Sequence, residues 1–231
     1  MPNSAIGVGG QGDNGANVLN VFDLSAIKGN AFYDPRHKFL NTFVYELPFG
    51  RGKRFGDSIS RSADFLAGGW TVSGITLLHS GNWLTPYFPS SLSDPSGTAP
   101  QYRSVSNQPA DCVSGQSGIL SNPTLDKFFD VKAFSVPATN IGRFGNCMVG
   151  SLRGPRTVTF SMSAAKTIHV GERFSVRYEA QFANLFNVNN WGLPNTNVSS
   201  SKFGLITSQQ DGTPGSQAGP RSIQMVLRLQ F

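Results

Sequence analysis

The residues able to do chemistry are few and scattered. Histidines stand at 37, 79 and 169, far apart and without HExxH or paired-ligand spacing, so neither imidazole metal binding nor triad chemistry has a constellation behind it. The stretch Gly7-Val8-Gly9-Gly10-Gln11-Gly12 follows no strand pattern and precedes no helix pattern, which supports neither a dinucleotide site nor a phosphate cradle. The one basic cluster, Arg51-Gly52-Lys53-Arg54, is short and follows Leu47-Pro48-Phe49-Gly50. It reads as a solvated turn rather than a nucleic-acid patch. Cys112 and Cys147 are the only two cysteines, in loop-like sequence, and fit one disulfide in an oxidising compartment better than a redox or metal pair. The expectation is a protein that is not an enzyme, takes no cofactor and no metal, and binds no nucleic acid.

The composition narrows the class. Of 231 residues 39% are hydrophobic and 14% charged, both below the roughly 45–50% and about 25% of an ordinary soluble domain. With 18 Phe, 5 Tyr and 3 Trp the chain is too aromatic for disorder. The longest nearly uncharged run, Thr71 to Ser93, is broken by Gly74, Gly81, Pro86 and Pro89 and predicts no membrane-spanning helix. Met1-Pro2-Asn3-Ser4 lacks the basic and apolar regions of a secretory leader; alongside the cysteine pattern, this suggests a chain whose true beginning lies elsewhere.

The elements that would position any site read as strands. Ile223, Met225, Leu227, Leu229 and Phe231 alternate with Gln224, Val226, Arg228 and Gln230, a period of two held to the last residue. Phe174, Val176, Tyr178, Ala180 and Phe182 alternate with Ser175, Arg177, Glu179 and Gln181, and Val158, Phe160, Met162 and Ala164 with Thr157, Thr159, Ser161 and Ser163. The tight turn His169-Val170-Gly171-Glu172 joins these two into a hairpin. Phe39, Phe43, Tyr45 and Leu47 share a face, and Trp70 to Ser80 forms a less regular strand. Five strands are therefore expected, near 37–48, 69–80, 157–168, 173–184 and 222–231. They are long enough to cross a bilayer at a tilt. Alternation alone leaves open whether the apolar sides meet lipid or a dry core.

The connections run to about 20, 76, 4 and 37 residues in order. Short turns on one side and long loops on the other are what an up-and-down outer-membrane sheet predicts, with loops 81–156 and 185–221 outside and both cysteines in one of them. Seven prolines between Pro86 and Pro137 read the first of these as loop rather than a helical domain.

Several segments in order resemble a known family. Tyr45-Glu46-Leu47-Pro48-Phe49-Gly50-Arg51-Gly52-Lys53, Gly68-Gly69-Trp70-Thr71-Val72-Ser73-Gly74-Ile75, Phe129-Asp130-Val131-Lys132-Ala133-Phe134, Phe144-Gly145-Asn146, Ser151-Leu152-Arg153-Gly154-Pro155, Phe182-Ala183-Asn184-Leu185-Phe186-Asn187 and Ile223 through Phe231 resemble the carboxyl-terminal barrel of TonB-dependent receptors of the Oar-like kind common in soil acidobacteria. The resemblance covers 31–231. It implies an outer-membrane transporter barrel of about 22 strands around a plug, driven by an inner-membrane energy-coupling complex. Leu227, Leu229 and Phe231 would then be the signal read by the barrel assembly machinery.

The expected fold is all-β: an antiparallel up-and-down sheet of about five long strands, an incomplete portion of a transmembrane β-barrel with long external loops. Residues 1–36 would be an amino-terminal extension or external loop and 37–231 the carboxyl-terminal barrel segment. The rest of the barrel, the plug and the part that meets the TonB complex are not in this sequence, which reads as the last quarter of a receptor. The expected function is energy-coupled uptake of a bulky ligand across the bacterial outer membrane, with membrane lipid as a partner. Arg177, Glu179, Gln181, Gln224, Arg228 and Gln230 would face the lumen, and Trp83, Tyr87, Phe88 and Trp191 are loop residues placed to meet a ligand or to form an interfacial girdle. The rival reading is a soluble or secreted β-sandwich binding module whose stripes close on each other.

Overall fold

The computed structural model describes residues 19–20, 22–23, 25, 28–99, 105–171, 174–210 and 218–231; the glycine-rich stretch 7–12 and Glu172 of the expected turn lie outside them. In chain order the elements are β1 (Lys38–Glu46), α1 (Arg61–Ala67), β2 (Trp70–His79), β3 (Trp83–Leu84), β4 (Tyr87–Pro89), β5 (Asn107–Pro109) and β6 (Asp111–Cys112). A 3-10 turn at Val131–Ala133 follows, then β7 (Phe134–Ser135), β8 (Leu152–Arg153), β9 (Thr157–Val170), β10 (Phe174–Ala183) and β11 (Ser222–Gln230). These fall into two compact units.

The first unit, Lys38–His79, Thr157–Asn190 and Gln209–Phe231, is one antiparallel sheet in the order β1-β2-β9-β10-β11. β9, β10 and β11 read with a period of two and β1 and β2 less strictly, so the register decides which stripes combine. It aligns Phe43 with Gly74, Gly74 with Met162, Met162 with Phe182 and Phe182 with Ile223. One residue pair further along, Tyr45, Val72, Ala164, Ala180 and Met225 fall in line. All five apolar stripes thus share one face. Connections 47–69 and 171–173 leave from one end of this sheet, and 80–156 and 184–221 from the other. β1 and β11 each have a single neighbour, so the sheet is open at both edges.

Side-chain amides extend the sheet at its long-connection end. Asn190 pairs with Val158 like a strand residue: its Oδ1 accepts from the Val158 N–H at 2.8 Å and its Nδ2 donates to the Val158 carbonyl at 3.0 Å. Asn184, buried and at φ +48°, ends β10. Its Nδ2 donates to the carbonyls of Val188 and Gly219, both at 2.8 Å, and its Oδ1 accepts from the Val188 N–H at 2.9 Å. Asparagine tolerates the left-handed region that this turn needs.

The second unit comprises the described part of Met1–His37 with Ser80–Arg156 and Trp191–Ser208. The sequence pattern here predicts plain loop; the structure instead shows short ribbons, β3 with β8, β4 with β5 and β6 with β7, around a core of its own. Leu84, Ala110, Phe129, Ala133, Phe134, Cys147 and Leu152 form that core, with Phe203 packed against it. The rings of Phe129, Phe134 and Phe203 meet edge to face at 5.0 to 5.9 Å, the favoured aromatic geometry. Ribbons of two or three residues are too brief to show a period of two, which is why proline and glycine alone dominate the reading of this stretch.

Candidate functional site

The site is the sheet itself, because its two faces differ in chemistry. On the apolar face the large side chains are exposed: Phe39 57%, Tyr45 55%, Ile223 54%, Met225 68%, Leu227 65% and Leu229 68%. Among the described residues of this unit, Ala165 is the one buried hydrophobic residue. A water-soluble sheet of this length would cover such a face, since contiguous apolar patches beyond a few hundred Å² are rare on soluble monomers. Among the described residues this unit holds the one sheet and no second one, whereas the sandwich alternative needs two sheets whose stripes close on one another.

The opposite face is polar across β9 to β11. Gln181 lies across from Gln224, and Arg177 from Arg228. Arg177 donates to Glu179 Oε2 at 3.4 Å, Gln181 Nε2 donates to Glu179 Oε1 at 2.9 Å, and the hydroxyls of Ser73 and Ser163 bond at 2.8 Å. Ser175 Oγ donates to Gln230 Oε1 at 3.1 Å. All six residues expected to face a lumen therefore lie on this one face. On β1 and β2 it is mixed, with Leu40, Val44, Ile75 and Leu77 sharing it, a departure from strict alternation. A hollow of about 560 Å³ opens there, lined by Thr42, Val44, Ser73, Ser163, Glu179 and Gln181 among others.

A model of the outer membrane beta barrel domain matches residues 2–224. This chain belongs to that family. Comparison with curated proteins and with solved structures returned no match. An outer-membrane barrel accounts for both faces, because in lipid the apolar side needs no cover and the backbone groups are satisfied along the ladder. The protein is thus a bacterial outer-membrane protein whose described sheet is an incomplete barrel.

The remaining predicted residues fall in distinct places. Leu227, Leu229 and Phe231 lie at the end of the chain on β11 and just beyond, all exposed, Phe231 to 96%. Cys112 and Cys147 are joined by a disulfide. Beside it Arg143 clasps Asp111 with two bonds, at 2.7 and 2.9 Å. The Asn146 N–H adds a third to the same carboxylate, and Asn146 Oδ1 takes the Cys112 N–H at 2.7 Å. The Arg143 hydrogen bonds hold the Asp111 carboxyl below the usual carboxylate range, outweighing its partial burial.

Of the four aromatics expected to meet a ligand, Trp83 lies under the Arg153 guanidinium at 4.6 Å. Tyr87 borders a smaller hollow with Asn195, Thr196, Lys202 and Thr207, and Trp191 is half-buried. Phe88 is fully buried and out of reach of any ligand; it occupies the middle of β4 opposite the equally buried Gln108, a pairing invisible in a stretch read as loop. Among the described residues no His, Cys, Asp and Glu gather as a metal site.

Two features escaped the sequence reading. One is α1, whose local signals are Ser60, its hydroxyl capping the Ala63 N–H at 3.3 Å, Asp64 in the first turn and Gly68 at the end. The other is Lys166, which interrupts the apolar face in line with Trp70 and Tyr178. Its Nζ stands 4.9 Å from the Trp70 ring centre and donates to the carbonyls of Gly68 at 2.6 Å and Leu66 at 3.2 Å. Trp70 Nε1 donates to the same Leu66 carbonyl at 2.9 Å. A cation on a lipid-side face thus shields its charge by reaching sideways to backbone oxygens.

Proposed function

We propose that this chain is the carboxyl-terminal part of a TonB-dependent receptor, a non-enzymatic barrel for energy-coupled uptake of a bulky ligand. The observation that carries the reading is the polar face: Arg177, Glu179, Gln181, Gln224, Arg228 and Gln230 lie together on the side away from the exposed apolar stripes. A hydrogen-bonding wall of this kind suits contact with a plug, and the ordered motifs that resemble such receptors favour a plug over an open pore. Leu227, Leu229 and Phe231 then serve as the assembly signal, and a TonB complex supplies the energy for uptake. Trp83, Tyr87 and Trp191 belong to the second unit, which the long connections would place outside the cell with the ligand.

A photo-crosslinking residue at Gln224 in the protein assembled in its native outer membrane tests this. Capture of a plug segment from Gln224 but not from Met225, together with ligand accumulation that stops when the protonmotive force is collapsed, is the expected result. Uptake that persists without the protonmotive force would make the barrel a passive pore and reject the reading.

A further inference from the structure

Connection 47–69, at the sheet end that also carries the short turn, is a folded element rather than a solvated turn. The Phe55 N–H donates to the Pro48 carbonyl at 2.9 Å and the Gly50 N–H to the Phe55 carbonyl at 3.0 Å, while Gly68 closes α1 on Asp64. Gly50, at φ +119°, sits so close that a Cβ there would lie 2.7 Å from Asp64 Oδ1 and 2.9 Å from the Gly68 Cα. Its two acids are engaged by backbone: Asp64 accepts from the Arg51 N–H and Asp57 from the Gly52 N–H. Both carboxylates keep their charge, and Lys53 pairs with Glu46 of β1 at 3.3 Å, so the exposed Arg51, Arg54 and Arg61 are the cations the element presents.

The same element exposes large apolar groups: Phe49 46%, Phe55 50%, Phe65 56% and Leu66 71%. Its side of the sheet is fixed by geometry, since Trp70 and Lys166, both on the apolar face, grip the carbonyls of Leu66 and Gly68. Exposed aromatics beside clustered cations, continuous with a lipid-contacting face, are the features of an interfacial lipid-binding element.

We propose that connection 47–69 is a membrane-interface anchor that binds anionic lipid headgroups at the short-turn rim of the barrel, with Phe65 and Leu66 entering the acyl boundary and Arg51, Arg54 and Arg61 pairing with phosphate. Charge complementarity and continuity with the apolar face both select lipid over a protein partner. The inference rests on the barrel assignment and not on energy-coupled uptake, so failure of either leaves the other standing.

The test uses the full protein, extracted from the outer membrane and reconstituted into phosphatidylcholine vesicles with and without phosphatidylglycerol. A nitroxide on Leu66→Cys should collide with oxygen more than with a water-soluble nickel complex, placing it at headgroup or acyl depth. The preference of the protein for spin-labelled phosphatidylglycerol over phosphatidylcholine should fall at least about fivefold in R51Q/R54Q/R61Q, the effect of losing roughly one cation's worth of surface attraction or more. A label freely reached by the nickel complex would turn the patch toward a periplasmic protein and overturn the proposal, as would an unchanged lipid preference in the triple variant. If that variant does not assemble, the depth of the label in the otherwise unaltered chain decides.

Discussion

Single side chains in this protein do the work that a core does elsewhere. Asn184 satisfies three hydrogen bonds at a buried, left-handed position. Asn184→Ala leaves two carbonyls and an N–H unmatched and adds backbone strain, at a cost of about 2–4 kcal/mol. Urea titration of the protein in vesicles, followed by loss of the fast-migrating folded band on unboiled gels, should register it. Asp111 contributes to the pH dependence of the second unit. Its folded pKa is depressed, so the stability it adds is complete above the unfolded value of about 3.9 and is lost as the pH falls through the folded one. Protease resistance of the second unit should therefore decline below about pH 4. Asp111→Asn should flatten that decline and lower resistance at neutral pH by about 1–2 kcal/mol, modest because Arg143 is half-exposed.

The strands make their own prediction, because adjacent residues on β11 meet different surroundings. Met225→Arg places a charge on the exposed apolar face and should cost about 2–4 kcal/mol in lipid vesicles. Val226→Arg, one residue on, lies across from Glu179 on the polar face and should cost little. Equal effects would mean the faces are not distinguished by their solvent. Glycine at position 74 has a packing reason: a Cβ there would lie 2.6 Å from the Phe43 ring, so Gly74→Val should move that ring, with a loss of about 1 kcal/mol or more in the same titration. The three carboxyl-terminal long strands were legible in the sequence because a period of two over nine or more residues is a strong signal, and β1 and β2 were legible less cleanly. Which stripes combine was not, since register depends on pairing across 90 residues, as between Ser73 and Ser163. The polar residues on β10 and β11 could be grouped from alternation alone. The Lys166 clasp could not, because its partners are backbone oxygens that no residue type announces.

At the scale of the whole molecule, the two units obey different solvents. The second unit keeps its Phe residues in a core tied by the disulfide between Cys112 and Cys147, while the sheet keeps its Phe, Leu and Met residues exposed. Reduction, or Cys112→Ser with Cys147→Ser, should weaken the second unit by about 3–4 kcal/mol, seen as faster proteolysis there with the sheet's urea midpoint unchanged. The open edges set a further condition. β1 and β11 run parallel, as four successive antiparallel pairings require, and an open edge is not tolerated in lipid. Antiparallel closure therefore takes an odd number of further strands. The whole interpretation depends on acyl chains wetting the apolar face, and a probe scan along β11 examines that most directly: one fluorophore at each position from 223 to 230, with quenching by a lipid-buried and by a water-soluble agent. Quenching by the lipid agent at 223, 225, 227 and 229 and by the aqueous agent at 224, 226, 228 and 230 is predicted. Loss of that two-residue rhythm, or odd positions shielded from both agents, would contradict it.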